Sequence, residues 1–373
     1  MISRLHKVTD PASIDWYPFL GRPRLSMPET DALAALGDRS ILVTGAGGSI
    51  GRALSLRLVS LGVRKIVLLD ASEQAVYRLQ NELTSLNPVK TPEVVLGSIA
   101  DEALLDEVFA VNGIDLVFHA AAHKHVPLLE TNPFAAITTN ALATRLLISV
   151  GKKHGAKTIL LSTDKAVAPA SVLGATKQVA EQITLAASGV VVRLTNVLGT
   201  DGSVVETFLR QIEQGQPLVV RHREAARYFV TPEEAVDLLL TASYAVPPSS
   251  VILPSLEHMH TVLSLASFLL ETCNAAPGTT TVDGNLHACE KLCESLCSAE
   301  EAAIAVQQHG YAYVIKQPLF SSLDHLLNRL DAEVSRRNLQ STIEAMQALV
   351  PDYSPSATLL ALKQTPARGV LQS

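Results

Sequence analysis

The 373-residue chain is poor in several features, and each scarcity removes a class of protein. Lys and Arg never gather into a run of five, and the formal net charge is −6, which argues against a surface built for nucleic acid or anionic lipid. Hydrophobic residues make up 47% of the chain, yet each apolar run meets charge or turn residues before the roughly 18 positions a spanning helix needs. No integral membrane segment is therefore expected. The opening stretch, MISRLHKVTDPASIDWYPFLG, holds no continuous apolar region of the secretory type, so the expected compartment is the cytoplasm. Cysteine is scarce too. Cys289, Cys293 and Cys297 recur every fourth residue near His287, but close pairs and a fourth ligand are missing, and no metal is expected. Alternating with Leu292 and Leu296, these cysteines read as small apolar positions on an amphipathic helix. Internal repeats and low-complexity tracts are absent from the sequence.

What is present is an alternation. Short β-branched runs at 41–45, 66–70, 93–97, 115–119, 158–162 and 190–194 are separated by helical stretches such as 49–60, 72–85, 101–110 and 138–153. Continuous apolar strands divided by helices predict an α/β fold, a Rossmann-type doubly wound parallel sheet covered on both faces. Residues 1–38 read as an N-terminal extension, interrupted by Gly21, Pro23 and Pro28 and anchored by Trp16, Tyr17 and Phe19. The dinucleotide domain is predicted over 39–195. A looser pattern at 196–320 predicts a smaller substrate-binding lobe on the sheet's carboxyl edge. In the tail, 321–373, Leu323, Leu326, Leu327, Leu330 and Val334 fall at helical spacing and predict a helix packed on its own domain.

The segment TGAGGSIG at 44–51 follows the first predicted strand and opens the first predicted helix. In that context Gly45, Gly48 and Gly51, with Gly47, Ser49 and Ile50 between them, form a dinucleotide fingerprint: backbone amides approach a pyrophosphate, and the helix N-terminus favours its charge. Asp70 ends the next strand, where a carboxylate accepts from an adenosine ribose and repels a 2′-phosphate, so the expected cofactor is NAD. Ala120 and Ala121, just after the fourth strand, complete the expected cofactor contacts. His119, His123 and His125 in HAAAHKH leave a strand end in different directions and read as structural or substrate-lining residues, while Lys124 is a candidate anion contact.

The motifs TGAGGSIG, HAAAHKHVPLLETNP, STDKAVAP, GATK, NVLGTDGSV, RYFVTPEEAVDLL and EKLCESL stand in the order of the CapD/WbpM-type nucleotide-sugar dehydratases. From Arg39 to about Glu300 the chain resembles that branch of the extended short-chain dehydrogenases, and FLGRP at 19–23 is similar to the segment before the catalytic domain of the long members. The resemblance implies a redox-neutral reaction on a UDP-sugar, similar to UDP-N-acetylglucosamine 4,6-dehydration, in a homo-oligomer. Hydride leaves carbon 4 for NAD, carbon 5 loses a proton, the carbon 6 hydroxyl departs, and the hydride returns to carbon 6.

Elimination beside a ketone needs an acid and a base together, and adjacent Asp164 and Lys165 supply both types. By resemblance, Asp164 protonates the departing hydroxyl and Lys165 takes the carbon 5 proton. Leu173 occupies the place of the short-chain dehydrogenase tyrosine, so Thr163 is implied in carbon 4 oxidation and Lys177 in holding the nicotinamide ribose. Lys124, His125, Asn196, Val197 and Arg227 are the implied substrate contacts, and Arg193 ends the strand before them. Three departures from the family pattern stand out: Ser98 for the usual Asp, His123 for a frequent Tyr, and GNLHACEKL at 284–292 for GLRPGEKL. The competing expectations are dehydration with carbon 5 epimerisation, 4-epimerisation, and a catalytically silent NAD-binding sensor or scaffold.

Overall fold

A computed structural model describes residues 10–27, 34–275, 280–317 and 323–362; Pro28 and the chain beyond residue 362 lie outside it. The β-branched runs become strands and the intervening stretches helices in strict succession: β1 (Ser40–Thr44), α1 (Ser49–Ser60), β2 (Lys65–Asp70), α2 (Glu73–Leu86), β3 (Glu93–Leu96), α3 (Glu102–Asn112), β4 (Leu116–His119). The helix α4 (Pro133–Lys153), β5 (Lys157–Thr163), α5 (Val172–Ala186) and β6 (Val190–Leu194) continue the series. Helix starts follow local chemistry. Ser72, Asp101 and Ser171 each accept an amide of the first turn of α2, α3 and α5 through their side chains.

Beyond residue 195 the sheet does not end, contrary to the expectation of turns and single helices. After α6 (Val204–Glu213) and α7 (Pro232–Ala242), β7 (Ser250–Pro254) joins β6 in parallel. After α8 (Val262–Thr272), a hairpin of β8 (Val306–Gln307) and β9 (Tyr311–Ile315) adds two antiparallel strands. The nine strands run β3-β2-β1-β4-β5-β6-β7-β9-β8. Strand order reverses between β1 and β4, and the crevice outside their carboxyl ends is where such sheets bind ligands.

Two sequence expectations change. Helix α4 begins before residue 138 and is long and apolar enough to cross a membrane, so not every apolar run falls short. More than half of it is buried against its own domain, packed on α3 and α5, which explains the composition. The cysteine segment 287–297 is not a helix: helix formation waits until Ala299–Ile304, which Ser298 and Glu301 start with a reciprocal capping box. Cys289 is buried, Cys293 exposed, and no disulfide joins any of the four cysteines. In the N-terminal extension, Tyr17–Leu20 forms one helical turn closed by Gly21 at φ 61°, with Trp16 and Phe19 buried among Phe208, Phe229 and Leu265. Arg193, near the end of β6, lies inside the domain, 2.7 Å from Glu181 and 2.6 Å from Glu301, as a core ion-pair residue.

The described residues of the tail form three helices, α9 (Leu323–Ser335), α10 (Leu339–Leu349) and α11 (Ala357–Leu362). Leu327, Leu330, Met346 and Leu349 pack against Val172, Leu173, Val179 and Ile183, so the tail roofs α5. Burial at that interface is the hydrophobic reason the tail has a fixed place.

Candidate active site

The turn from β1 to α1 is shaped by missing side chains. Gly45 has φ 66°, and a Cβ there would stand 2.6 Å from the Ala121 nitrogen; one on Gly51 would stand 2.0 Å from the Gly45 carbonyl oxygen. Neither position tolerates even alanine, because the β1 turn, the β4 end and α1 touch through backbone. No side chain caps α1, in contrast to α2, α3 and α5, so its first-turn amides face the crevice free for an anion. Asp70, at the end of β2, accepts the Gly47 amide at 2.9 Å and the Ser72 amide at 2.9 Å. It stands in a hollow with Gly47, Ser98 and Ala121 that shares Gly45, Gly48 and Ala120 with the main cleft. Together these features fit an adenine dinucleotide extended across the strand ends.

The main cleft is about 750 Å³ and includes Ser49, Lys124, His125, Thr163, Lys165 and Lys177. A larger hollow of about 1020 Å³ lies between α4 and the tail, but its lining includes neither the glycine turn nor the Thr163–Lys165 segment. We place the site in the smaller cleft for that reason. At its floor, β5 ends in Thr163 and passes into a 3₁₀ turn, Asp164–Ala166. Asp164 is fully buried. Its Oδ1 accepts from the Thr163 hydroxyl at 2.9 Å and from Lys165 Nζ at 2.9 Å, and its Oδ2 accepts from the Thr195 hydroxyl at 3.1 Å. Lys165 Nζ also donates to Asn196 Oδ1 at 3.2 Å. A buried carboxylate with three donors is held in one orientation, while Lys165 reaches the cleft.

Helix α5 presses its first turn against this network, since a Cβ on Gly174 would stand 2.1 Å from the Lys165 carbonyl oxygen. One turn further, Lys177 is buried yet lines the cleft, and its ammonium makes no hydrogen bond or ion pair among the described residues. Burial lowers its pKa to about 8, with Glu181 pulling in the opposite direction. Leu173 lines the same cleft and offers no titratable group.

The loop after β4 separates the three histidines. His119 is buried between the Thr44 and Thr144 hydroxyls at 2.7 and 2.8 Å, and burial pushes its pKa down to about 3. His123 and His125 are exposed, and the His125 ring lies over Gly202. Lys124 is likewise exposed, but protein crowded around its ammonium desolvates it and lowers its pKa, opposed by Asp201 and Glu206. Val197 lines the cleft; Asn196 and Val197 pair with Phe229 and Val230. Arg227 does not project into open space. Its guanidinium donates to the carbonyls of Ala226, Leu292 and Lys291 at 2.8, 2.8 and 2.9 Å. Among the described residues no group of three His, Cys, Asp or Glu converges as a metal site would require.

Sequence reading missed Asn140. It sits in a π-helical turn, Thr138–Leu142, within α4. Its side chain accepts the His123 amide at 2.8 Å, and donates to the His123 carbonyl at 3.0 Å and the Thr176 hydroxyl at 3.2 Å. Asn140 thus ties the β4 loop to α5 across the cleft. The available signal was a poor helix former inside an apolar helical stretch.

The parallel sheet, glycine turn and cleft define a doubly wound dinucleotide-binding domain of the extended short-chain dehydrogenase kind. Residues 41–317 match the family described as polysaccharide biosynthesis protein, and the chain belongs to that family. The capsular polysaccharide biosynthesis protein CapD of Staphylococcus aureus is 35% identical over 292 residues, 76% of this chain and 49% of that protein. This chain therefore spans about half of that relative's length. UDP-glucose 4-epimerase of Rickettsia rickettsii is 31% identical across 74% of this chain and 82% of the relative. Among solved structures, Pen from Bacillus thuringiensis aligns with a TM-score of 0.71 and 25% identity, covering 76% of this chain and 91% of that one. DesIV, a dTDP-glucose 4,6-dehydratase from Streptomyces venezuelae solved with NAD, shares the fold at a TM-score of 0.63 and 19% identity, over 81% of this chain and 98% of that one.

Proposed function

We propose that the protein is an NAD-dependent nucleotide-sugar 4,6-dehydratase acting on a UDP-N-acetylhexosamine in polysaccharide biosynthesis. The observation that carries this reading is the junction of Thr163, Asp164 and Lys165, a hydroxyl, a carboxyl and an amine joined by 2.9 Å contacts at the cleft floor. The glycine turn at 45–51, Asp70, Ala120, Ala121 and Lys177 hold the dinucleotide, which supplies a reversible hydride acceptor when bound. Thr163 takes the proton of the sugar's carbon 4 hydroxyl while passing its own to Asp164. Asp164, charged in that way, gives the proton to the carbon 6 hydroxyl, which leaves as water. Lys165, as the free amine, removes the carbon 5 proton and returns it after elimination. Proton balance closes within these three side chains, and no solvent base is needed. Leu173 excludes water beside them.

Lys124 and His125, in the β4 loop, and Asn196 and Val197 approach the sugar diphosphate, while Arg227 acts by shaping the segment at 291–292. A second reading, 4-epimerisation, is favoured by the identity with the Rickettsia enzyme over most of that relative's length. Incubating the purified protein with UDP-GlcNAc and NAD, followed by mass spectrometry, separates them. Loss of one water supports the dehydratase, an isomer of unchanged mass supports the epimerase, and no conversion of any UDP-hexose or UDP-hexosamine overturns both.

A further inference from the structure

The turn that carries Asp164 and Lys165 runs on into a backbone conformation that its sequence does not favour. Ala168 has φ 43°, the left-handed region where a Cβ is crowded by backbone, and it is exposed, so no side-chain packing compensates. A non-glycine residue stays in that region only where its surroundings hold it. Three contacts surround this one. The Val167 amide closes the 3₁₀ turn on the Asp164 carbonyl at 3.1 Å, and the Ser354 amide of the tail donates to the Pro169 carbonyl at 3.3 Å. The third comes from the substrate lobe: Lys291 Nζ donates to the Val167 carbonyl at 2.7 Å.

Lys291 is itself held firmly. Its own carbonyl and that of Leu292 accept the Arg227 guanidinium, the Ala226 amide donates to the Leu292 carbonyl at 3.0 Å, and its ammonium lies 3.3 Å from the Glu294 carboxylate. A chain of contacts therefore leads from the short strand Ala226–Arg227 through Lys291 to the peptide before Ala168. Charge-assisted donation to a backbone carbonyl is among the stronger hydrogen bonds available to a protein. On the other side, the turn cannot retreat, because α5 meets the Lys165 carbonyl at Gly174.

We propose that Lys291 is a positioning residue, a clamp from the substrate lobe that keeps Ala168 left-handed and thereby fixes Asp164 and Lys165 against Lys177 on α5. Its place in the reaction rests on the dehydratase reading; its effect on the backbone does not. Glycine adopts positive φ without penalty, so a glycine at 168 makes the clamp dispensable. That is the distinguishing consequence.

The experiment is a two-by-two set, Lys291→Met, Ala168→Gly and the double variant, with Lys291→Arg as the conservative control. Hydrogen exchange at the Val167 amide is read on the chain without added ligand, and kcat and KM are read with UDP-GlcNAc and NAD. Lys291→Met is expected to speed Val167 exchange by about tenfold and to lower kcat by a similar factor with KM little changed. Ala168→Gly alone stays within about twofold of wild type, the double variant recovers most of the loss, and Lys291→Arg retains protection. If the double variant is as fast-exchanging as Lys291→Met, or worse, the clamp is wrong. Should Lys291→Met fail to fold, exchange in Lys291→Arg and in Arg227→Lys, which loosens the clamp's seat, decides instead: Val167 exchange as slow as wild type in Arg227→Lys overturns the proposal. If exchange follows the expected pattern while no variant or wild type turns over a nucleotide sugar, the clamp stands and the dehydratase reading falls.

Discussion

The two halves of the cleft are built by different means. On the dinucleotide side, binding capacity lies in backbone: a glycine turn, the free amides of α1, and a strand-end carboxylate. On the substrate side, the nearby arginines are already engaged by the protein, and Lys124 is a charged side chain left in the cleft. Arg193 is buried between Glu181 and Glu301, and Arg227 is spent on three carbonyls. A motif that works through backbone geometry keeps its meaning wherever the strand–turn–helix context recurs. A motif that works through a side chain leaves open what that side chain touches.

The sharpest break of this comparison lies at the junction of the halves. Asp164→Asn is expected to slow dehydration by about 10²–10⁴-fold while carbon 5 exchange from heavy water continues, whereas Lys165→Met suppresses the exchange itself. Normal dehydration in the first variant, or normal exchange in the second, would show that acid and base are misassigned. Next in size is Arg193. Replacing it by Met leaves Glu181 buried without its cation and Glu301 with Lys316 alone, and denaturant melts should show a loss of about 3–5 kcal/mol. A loss confined to KM would return Arg193 to the substrate side of the comparison.

Lys177 gives a smaller and opposite effect. Its pKa is about 8 in the fold against 10.5 in the unfolded chain, so between those values the unfolded state binds more protons and stability rises with pH. Below pH 8 the folded chain carries the full cost of a buried ammonium. Lys177→Met should therefore stabilise the ligand-free protein near pH 7, by something on the order of 2 kcal/mol, while abolishing retention of NAD. A variant less stable than wild type at pH 7 would contradict the cost assigned to burial. Smallest of all in turnover is Leu173→Ala, expected to keep kcat within a few-fold because Leu173 contributes packing and no proton; Thr163→Val should be far more harmful. Equal losses from the two would remove Thr163 from carbon 4 oxidation.

The six predicted runs coincide with β1 to β6 within a residue or two; five of them are buried along most of their length and so must be largely apolar, while the half-exposed edge strand β3 was legible through its β-branched Val94 and Val95. The hairpin of β8 and β9 was not. β8 is a two-residue edge strand with exposed Val306, and β9, between β7 and β8, reaches its partners only after the long excursion from β7 that no local pattern announces. The segment 287–297 has helical spacing of cysteine and leucine, yet Arg227 and the Ala226 amide take the carbonyls of Lys291 and Leu292 that a helix would need. Tertiary hydrogen bonding overrode local periodicity there. In the site, residue types at 163–165 were visible from the start, but the part played by Asn140 was not, because its value comes from a π turn that places one amide side chain against the backbone of another loop.

The tail roof over α5 bears on how this family can be cut and recombined. Every residue of α5 from Val172 to Leu185 except Gln178 is buried, and part of that cover comes from α9 and α10, which lie past the end of the family match at 317. A fragment trimmed to the matching residues would bring Val172, Leu173, Val179 and Ile183 into water together, an adhesive strip on the helix that bears Lys177. A border drawn at the end of the family match therefore cuts through this core: keeping the cover over α5 means keeping the chain at least through Leu349, and chimaeras that exchange catalytic cores should carry their own roofs with them.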